Sequence, residues 1–336
     1  METKVDKYNP SIDLLRILAI VSVLLIHTST KVLDLVKYDF IGHPFSFFID
    51  QVTRFAVPVF FLISAFLLEL NYPQNFKYSS YIKQRFSRLF LPYLFWSVIY
   101  FFIVYPGENN FPLNLLLGNS SYQLYFIPSL FIFYLFFPFL HNSQKFLTNK
   151  FSILVLGLLQ LGLLVNDYYF KPLVLPQPIG VFILNFDIFI LGIIASHHQN
   201  DILNFVKKYK YLFLSFTIIL AFAITFDAGW QYQHTKNYLF FYSNWRPLAF
   251  IYTLSTSSLL FYYFSKLKIN NDLIKKLSSY SFFVYFIHII FIEIVCQNFP
   301  KFFSIHTPIL FLFAATPSYL LAYIVSKIPY LSRLTG

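Results

Sequence analysis

The sequence predicts an all-α integral membrane protein, a bundle of about ten transmembrane helices with both termini in the cytoplasm. Three observations carry that prediction. Hydrophobic residues make up 57% of the 336-residue chain and charged residues only 12%, about half the ~25% of a soluble domain. Apolar runs long enough to cross a bilayer, which takes ~20 residues, recur along the whole length. Basic residues gather in alternate connections between those runs, as the positive-inside rule requires.

Ten spans are drawn in order: residues 12–29, 55–70, 89–105, 124–141, 151–165, 179–196, 211–226, 247–265, 279–297 and 308–327. With the N-terminus inside, the inner segments carry Lys4, Lys7 and Arg16, then Lys77, Lys83, Arg85 and Arg88, and onward to Lys327 and Arg333. Seven of the 25 Lys and Arg residues fall outside. The net charge of +11 is therefore a topology signal and not a nucleic-acid footprint. One cysteine, Cys296, excludes an intramolecular disulfide and any cysteine-rich metal site. The first apolar run is full length and lacks a small-residue cleavage site, so it reads as a retained helix. The chain forms one transmembrane domain, 1–336 with its core at about 11–327, without a fused extracellular domain. Pro58, Pro92, Pro128 and Pro138 fall inside spans, where such breaks are tolerated.

The first span organises the chemistry. Residues 11–30, SIDLLRILAIVSVLLIHTST, hold Asp13, Arg16 and His27 in an otherwise apolar run. Ionisable residues are costly in hydrocarbon and mark functional sites. Arg16 and His27 are eleven positions apart, which at ~100° per residue returns to the same helix face, roughly 16 Å further along the axis. His27 suits a general base or an interfacial hydrogen bond; Arg16 suits a ligand anion or a snorkelling anchor. Asp13 stands three residues before Arg16 and can pair with it or accept helix N-terminal amides.

Lys83, Arg85 and Arg88 precede the third span at the inner surface. Such a cluster attracts anionic lipid or clamps the phosphates of a cytosolic ligand. Arg54 opens the second span on the outer side, where it either meets a substrate or anchors the interface. Gln123 and Tyr125 read as an outer cavity wall or an aromatic belt. Ser64 and Ala65 allow close helix approach. His288 lies near mid-membrane and reads as structural and hydrogen-bonded. Glu293 follows five residues later on a different face, and Asp187 is a further buried acid. His197 and His198 fall in an inner loop without metal-ligand spacing, and no metal site is expected. No serine or cysteine nucleophile stands in a known motif, so a histidine acting on an acyl donor is the simplest chemistry on offer.

At this point the chain resembles the membrane-bound acyltransferase 3 family, bacterial ten-helix enzymes that O-acylate surface glycans. The resemblance rests on Arg16 and His27 within IDLLRILAIVSVLLIH, with RFAVPVFFLISAFLL, YIKQRFSRLFLPYLFW, QLYFIPSLF and SFFVYFIHIIFIE following in order. Tyr125 stands where the family usually has Trp, and Ala65 where it usually has Gly. The resemblance implies a multi-pass protein of the bacterial cytoplasmic membrane. It implies acetyl-CoA or another acyl-CoA as cytosolic donor, its phosphates near Arg16, Lys83, Arg85 and Arg88. His27 would be general base or acyl carrier toward a hydroxyl of an extracytoplasmic or lipid-linked glycan, with Arg54, Gln123 and Tyr125 on the acceptor side. Some relatives carry a fused extracellular domain that completes transfer, so this chain acts alone or hands its acyl group to a separate transferase. A non-enzymatic transporter or flippase of a polysaccharide intermediate is the alternative that the same spans allow.

Overall fold

The computed structural model describes residues 10–71, 77–267, 272–299 and 307–329; Lys4, Lys7, Lys268, Lys301 and Arg333, and with them both termini, lie outside the described residues. All regular structure among the described residues is helical. The helices are α1 (Pro10–Leu35), α2 (Pro44–Val52), α3 (Ala56–Asn71), α4 (Tyr78–Ile99), α5 (Phe111–Leu117), α6 (Phe126–Asn142), α7 (Gln144–Leu147) and α8 (Lys150–Val165). They continue with α9 (Gln177–Leu184), α10 (Phe186–His197), α11 (Gln199–Thr235), α12 (Leu239–Tyr242), α13 (Pro247–Lys266), α14 (Asp272–Asn298) and α15 (Thr307–Ser326). Short π-helical turns, Tyr100–Val104 and Asn166–Phe170, extend α4 and α8.

Seven of the helical stretches are long and apolar enough to cross a membrane, or eight if the pair α9 and α10, bent by 48° at Asn185, is one span. The expected ten are therefore met in part. Both remaining predicted spans are helical, but α6 has only 17 residues, and α13 carries Thr253, Ser255, Thr256 and Ser257 among its buried residues. Buried hydroxyls of this kind hydrogen-bond within their own helix, as Thr253 and Ser257 do to Ala249 and Thr253 carbonyls, which lowers apolarity without breaking the helix.

Helix boundaries differ from the sequence reading where polar residues find partners. The first span runs about two turns past residue 29, because Thr30 bonds Asp50 and Lys31 bonds Glu293. It stops where Lys37 and Tyr38 take positive φ of 52° and 62°, with the Tyr38 amide closing on the Leu33 carbonyl at 2.8 Å as in a Schellman cap. The seventh span begins after a break in helical dihedrals at Tyr209, which separates a polar, lysine-rich lead from the apolar length. The helix α2 was invisible as a span: PFSFFIDQV is nine residues long and ends on an acid and an amide.

Around α1 pack α2, α3, α13, α14 and α15, so this helix is nearly enclosed and thirteen of its residues are buried. The tightest crossing is α10 on α3. A Cβ added to Gly192 would lie 2.4 Å from the Leu62 carbonyl oxygen and 2.8 Å from the Ala65 Cβ. Small residues on both helices let the backbones touch.

Candidate active site

Two cavities meet beside α1. The larger, about 940 Å³, is lined by Arg16, His27, Arg54, Gln123, Tyr125 and Glu293 among others. The smaller, about 650 Å³, is lined by Arg16 together with Lys77, Arg85 and Arg88. Arg16, Phe60, Ser64 and Tyr134 belong to both walls. Arg16 and His27, on one helix face, thus both line the larger cavity, and Arg16 also borders the smaller, cationic one.

Arg16 is held in place by its own helix and by α14. Its Nη1 donates to Asp13 Oδ1 at 3.2 Å and to Ser278 Oγ at 2.9 Å, and Ser278 Oγ in turn donates to Asp13 at 2.6 Å. A closed triangle of this kind fixes the guanidinium while leaving its remaining N–H groups toward the cavities. Arg85 lies over the rings of Tyr81 and Tyr134, 5.8 and 5.6 Å from their centroids, a cation–π arrangement that ties it to the shared wall. Lys83 is exposed and borders neither cavity; Lys77 stands in the smaller wall instead.

At the other end, the partly buried His27 ring packs between Tyr122, at 5.1 Å between centroids, and His288, at 5.2 Å. His288 is fully buried, and its Nδ1 bonds the Val284 carbonyl at 2.9 Å. Gln123 sits in the wall with its carbonyl accepting from the Tyr285 hydroxyl, and its Oε1 accepting from Ser121 at 2.5 Å. The buried Gln123 amide nitrogen faces the Tyr100 hydroxyl. The close passage of Gly118 (φ 75°) fixes this segment, since a Cβ there would lie 2.5 Å from Tyr125 Cα. Tyr125 packs edge-on to Trp245.

Arg54 borders the cavity but is already engaged. Its Nε and Nη2 donate three bonds of 2.7–3.0 Å to Asp50, and its Nη1 donates to the Tyr242 carbonyl at 2.6 Å. Asp50 also accepts from Thr30 at 2.6 Å and Gln51 at 2.7 Å. Gln51 Oε1 accepts from Arg246 Nη2 at 2.6 Å. This buried network joins α1, α2 and the start of α13 three residues beyond His27. Sequence reading placed Arg54 at the site but missed Asp50, Gln51 and Arg246, which lie in stretches read as outer loops.

Glu293 pairs with Lys31 at 2.8 Å, and both line the larger cavity. Tyr242, on the short helix α12 at the mouth, donates its hydroxyl to Asp34; burial and that carboxylate push its phenol pKa up, so it remains a donor. Asp187 lies in the first turn of α10, outside both cavity walls. At the opposite end of the helices, Glu69 bridges His141 Nδ1 and His197 Nε2, each at 2.9 Å, so His197 belongs to a helix-end clamp rather than a loop. No cluster able to hold a metal ion occurs among the described residues.

The arrangement can bind an anionic group at one mouth, present a base or nucleophile at depth, and admit a polar ligand at the aromatic-rich other mouth. Relatives fit such a path. The chain is 24% identical over 261 residues to the "Probable poly-beta-1,6-N-acetyl-D-glucosamine export protein" of Staphylococcus aureus strain MSSA476, covering 74% of this chain and 71% of the relative. The protein of the same description from strain MRSA252 matches equally. No solved structure matches significantly. Residues 9–327 match the acyltransferase-domain model of the acyltransferase 3 family. With the match running over nearly the whole helical bundle and over both cavity walls, the chain belongs to the acyltransferase 3 family.

Proposed function

We propose that this chain is an integral-membrane O-acyltransferase that moves an acyl group, acetyl in the simplest case, from cytosolic acyl-CoA to a hydroxyl of an extracytoplasmic or lipid-linked polysaccharide. The observation that carries the proposal is that the two cavities adjoin at a shared wall containing Arg16. A cofactor with several phosphates needs cations at its entrance, and Lys77, Arg85 and Arg88 line that mouth. A pantetheine arm must then cover the roughly 16 Å between Arg16 and His27. Together the two cavities exceed the ~300–1,000 Å³ usual for one small-molecule site, as a donor arm and a sugar together require.

In the step itself, the cavity-facing nitrogen of His27 takes the proton of the acceptor hydroxyl as the oxygen attacks the thioester carbonyl. The tetrahedral centre collapses with loss of the C–S bond, and the thiolate of CoA takes back the proton from the imidazolium. Gln123 lines the same cavity, and its side-chain amide suits the developing oxyanion. An acyl group carried transiently on His27 uses the same nitrogen.

The name of the staphylococcal relatives favours a second reading, export of the polymer without chemistry. Acetate content of the envelope polysaccharide separates the two. Deleting this chain, or introducing His27→Ala, is expected to leave polymer outside the cell but strip its O-acetyl groups. Full acetylation in His27→Ala cells would overturn the enzyme reading, and loss of external polymer with unchanged acetylation would establish export.

A further inference from the structure

We propose that His288 is the positioning residue for His27, accepting its wall-side N–H and so fixing the tautomer that leaves a lone pair toward the cavity; this deepens the reading of His27 as base or nucleophile and rests on it. The argument is a chain of donors and acceptors. His288 Nδ1 lies 2.9 Å from the Val284 carbonyl, an acceptor only, so Nδ1 carries the hydrogen. A neutral imidazole then has a bare lone pair on Nε2. That nitrogen is buried with no hydrogen-bond partner among the described residues, and such an orphan is costly unless something fills it.

The neighbouring imidazole is His27, 5.2 Å away between ring centroids, close enough for one N–H···N bond after a rotation of His27 about its terminal torsion. The chemistry of His27 sets the same requirement from the other side. As base or as acyl carrier, its cavity-facing nitrogen must hold a lone pair, so its hydrogen must sit on the other nitrogen and needs an acceptor in the wall. One assignment satisfies both rings at once: the Val284 carbonyl accepts from His288, and His288 accepts from His27. His288 itself does not line the cavity, so it acts through His27 and not on substrate. When His27 takes the hydroxyl proton, the imidazolium keeps this bond and shares its charge with the second ring. The other ionisable side chains around the pair are Tyr122, Tyr285, Lys31, Glu293 and Arg54, with Lys31 and Arg54 already paired to carboxylates.

The test begins on the wild-type full-length chain in lipid nanodiscs, by ¹⁵N NMR of labelled histidines at neutral pH, with signals assigned from single variants. An unprotonated His288 Nε2, coupled to a protonated nitrogen of His27, is expected; a protonated His288 Nε2 overturns the proposal. The second arm measures CoA-thiol release from acetyl-CoA with a β-1,6-linked N-acetylglucosamine oligosaccharide as acceptor. His288→Asn keeps a donor for Val284 but loses the Nε2 acceptor, and is expected to lower kcat about tenfold, the worth of one hydrogen bond, with KM for acetyl-CoA unchanged. His288→Gln restores an acceptor at that position and recovers most of the rate. Equal turnover of His288→Asn and wild type overturns the proposal. Coupled rings in a chain that releases no CoA would sink the transferase reading and leave the pair standing; CoA release with uncoupled rings would do the reverse.

Discussion

Replacing Asp50 by alanine tests whether the buried ion network holds the acceptor end of the site together. In the native structure Asp50 is fully buried and receives three bonds from Arg54, one from Thr30 and one from Gln51, all between 2.6 and 3.0 Å. Without it, Arg54 keeps only its Nη1 contacts to the Tyr242 carbonyl and Asn244, and Nε and Nη2 lose the carboxylate that solvates them. Removing one partner of a buried pair costs about 3–5 kcal/mol, because the surviving charge stays uncompensated. Unfolding of the purified chain in mixed detergent micelles, followed by tryptophan fluorescence, measures the loss. The pairing of Asp50→Leu with Arg54→Met removes both charges and is expected to recover most of it, since apolar replacement of a whole buried pair is often neutral. Asp50→Ala within about 1 kcal/mol of wild type, or a double variant as unstable as the single, would refute the reasoning.

Three further outcomes follow from the geometry. Gly192→Leu places a side chain where even a Cβ lies 2.4 Å from the Leu62 carbonyl oxygen, and should destabilise the α3–α10 crossing by about 1–3 kcal/mol, read in the same unfolding assay. Gly118→Ala combines a positive φ of 75° with a clash on Tyr125 Cα; the displaced Gln123 segment should lower acyl transfer more than it lowers the melting temperature. Arg85→Ala and Arg88→Ala should raise KM for acyl-CoA with kcat little changed, the sign of lost uniform binding, and unchanged KM would remove them from the donor mouth.

What was legible in the sequence was whatever one helix determines by itself. The face shared by Arg16 and His27 follows from helical spacing alone, and it runs along one path in the fold. The pairing of Asp13 with Arg16 is local and equally readable. What was not legible depends on which helices meet. Nothing in the spacing of α14 reveals that His288 lies against His27, and its buried, hydrogen-bonded state was the only part open to inspection. Arg246 reaches Gln51 across 195 positions, and Glu69 collects two histidines from helices that a linear reading keeps apart. Lys83 was grouped with Arg85 and Arg88 by proximity in sequence, yet its position on the helix turns it away from the cavity. The short α2 was lost for a different reason: a nine-residue helix has too little periodicity to separate from a loop.

The contacts between α1 and α14 carry one more consequence. Arg16 meets Ser278, His27 meets His288 and Lys31 meets Glu293, so the partner's number rises with that of α1 at a nearly constant offset of 262. The two helices therefore run parallel and in register, and Arg16, His27 and Lys31 each lie against a residue of α14. Parallel helices that both cross a membrane enter it from the same side, which requires an odd number of crossings between them. Counting only the seven stretches long and apolar enough to cross gives an even number and is incompatible with the observed register. Counting one further crossing, the bent α9–α10 pair or α6 or α13, restores an odd number, and counting all three preserves it. For two membrane-crossing helices the register of this pair, which hydropathy does not supply, thus requires that one or all three of α6, the bent α9–α10 pair and α13 complete a crossing, and it places Arg16 and Ser278 at the same end of the pair.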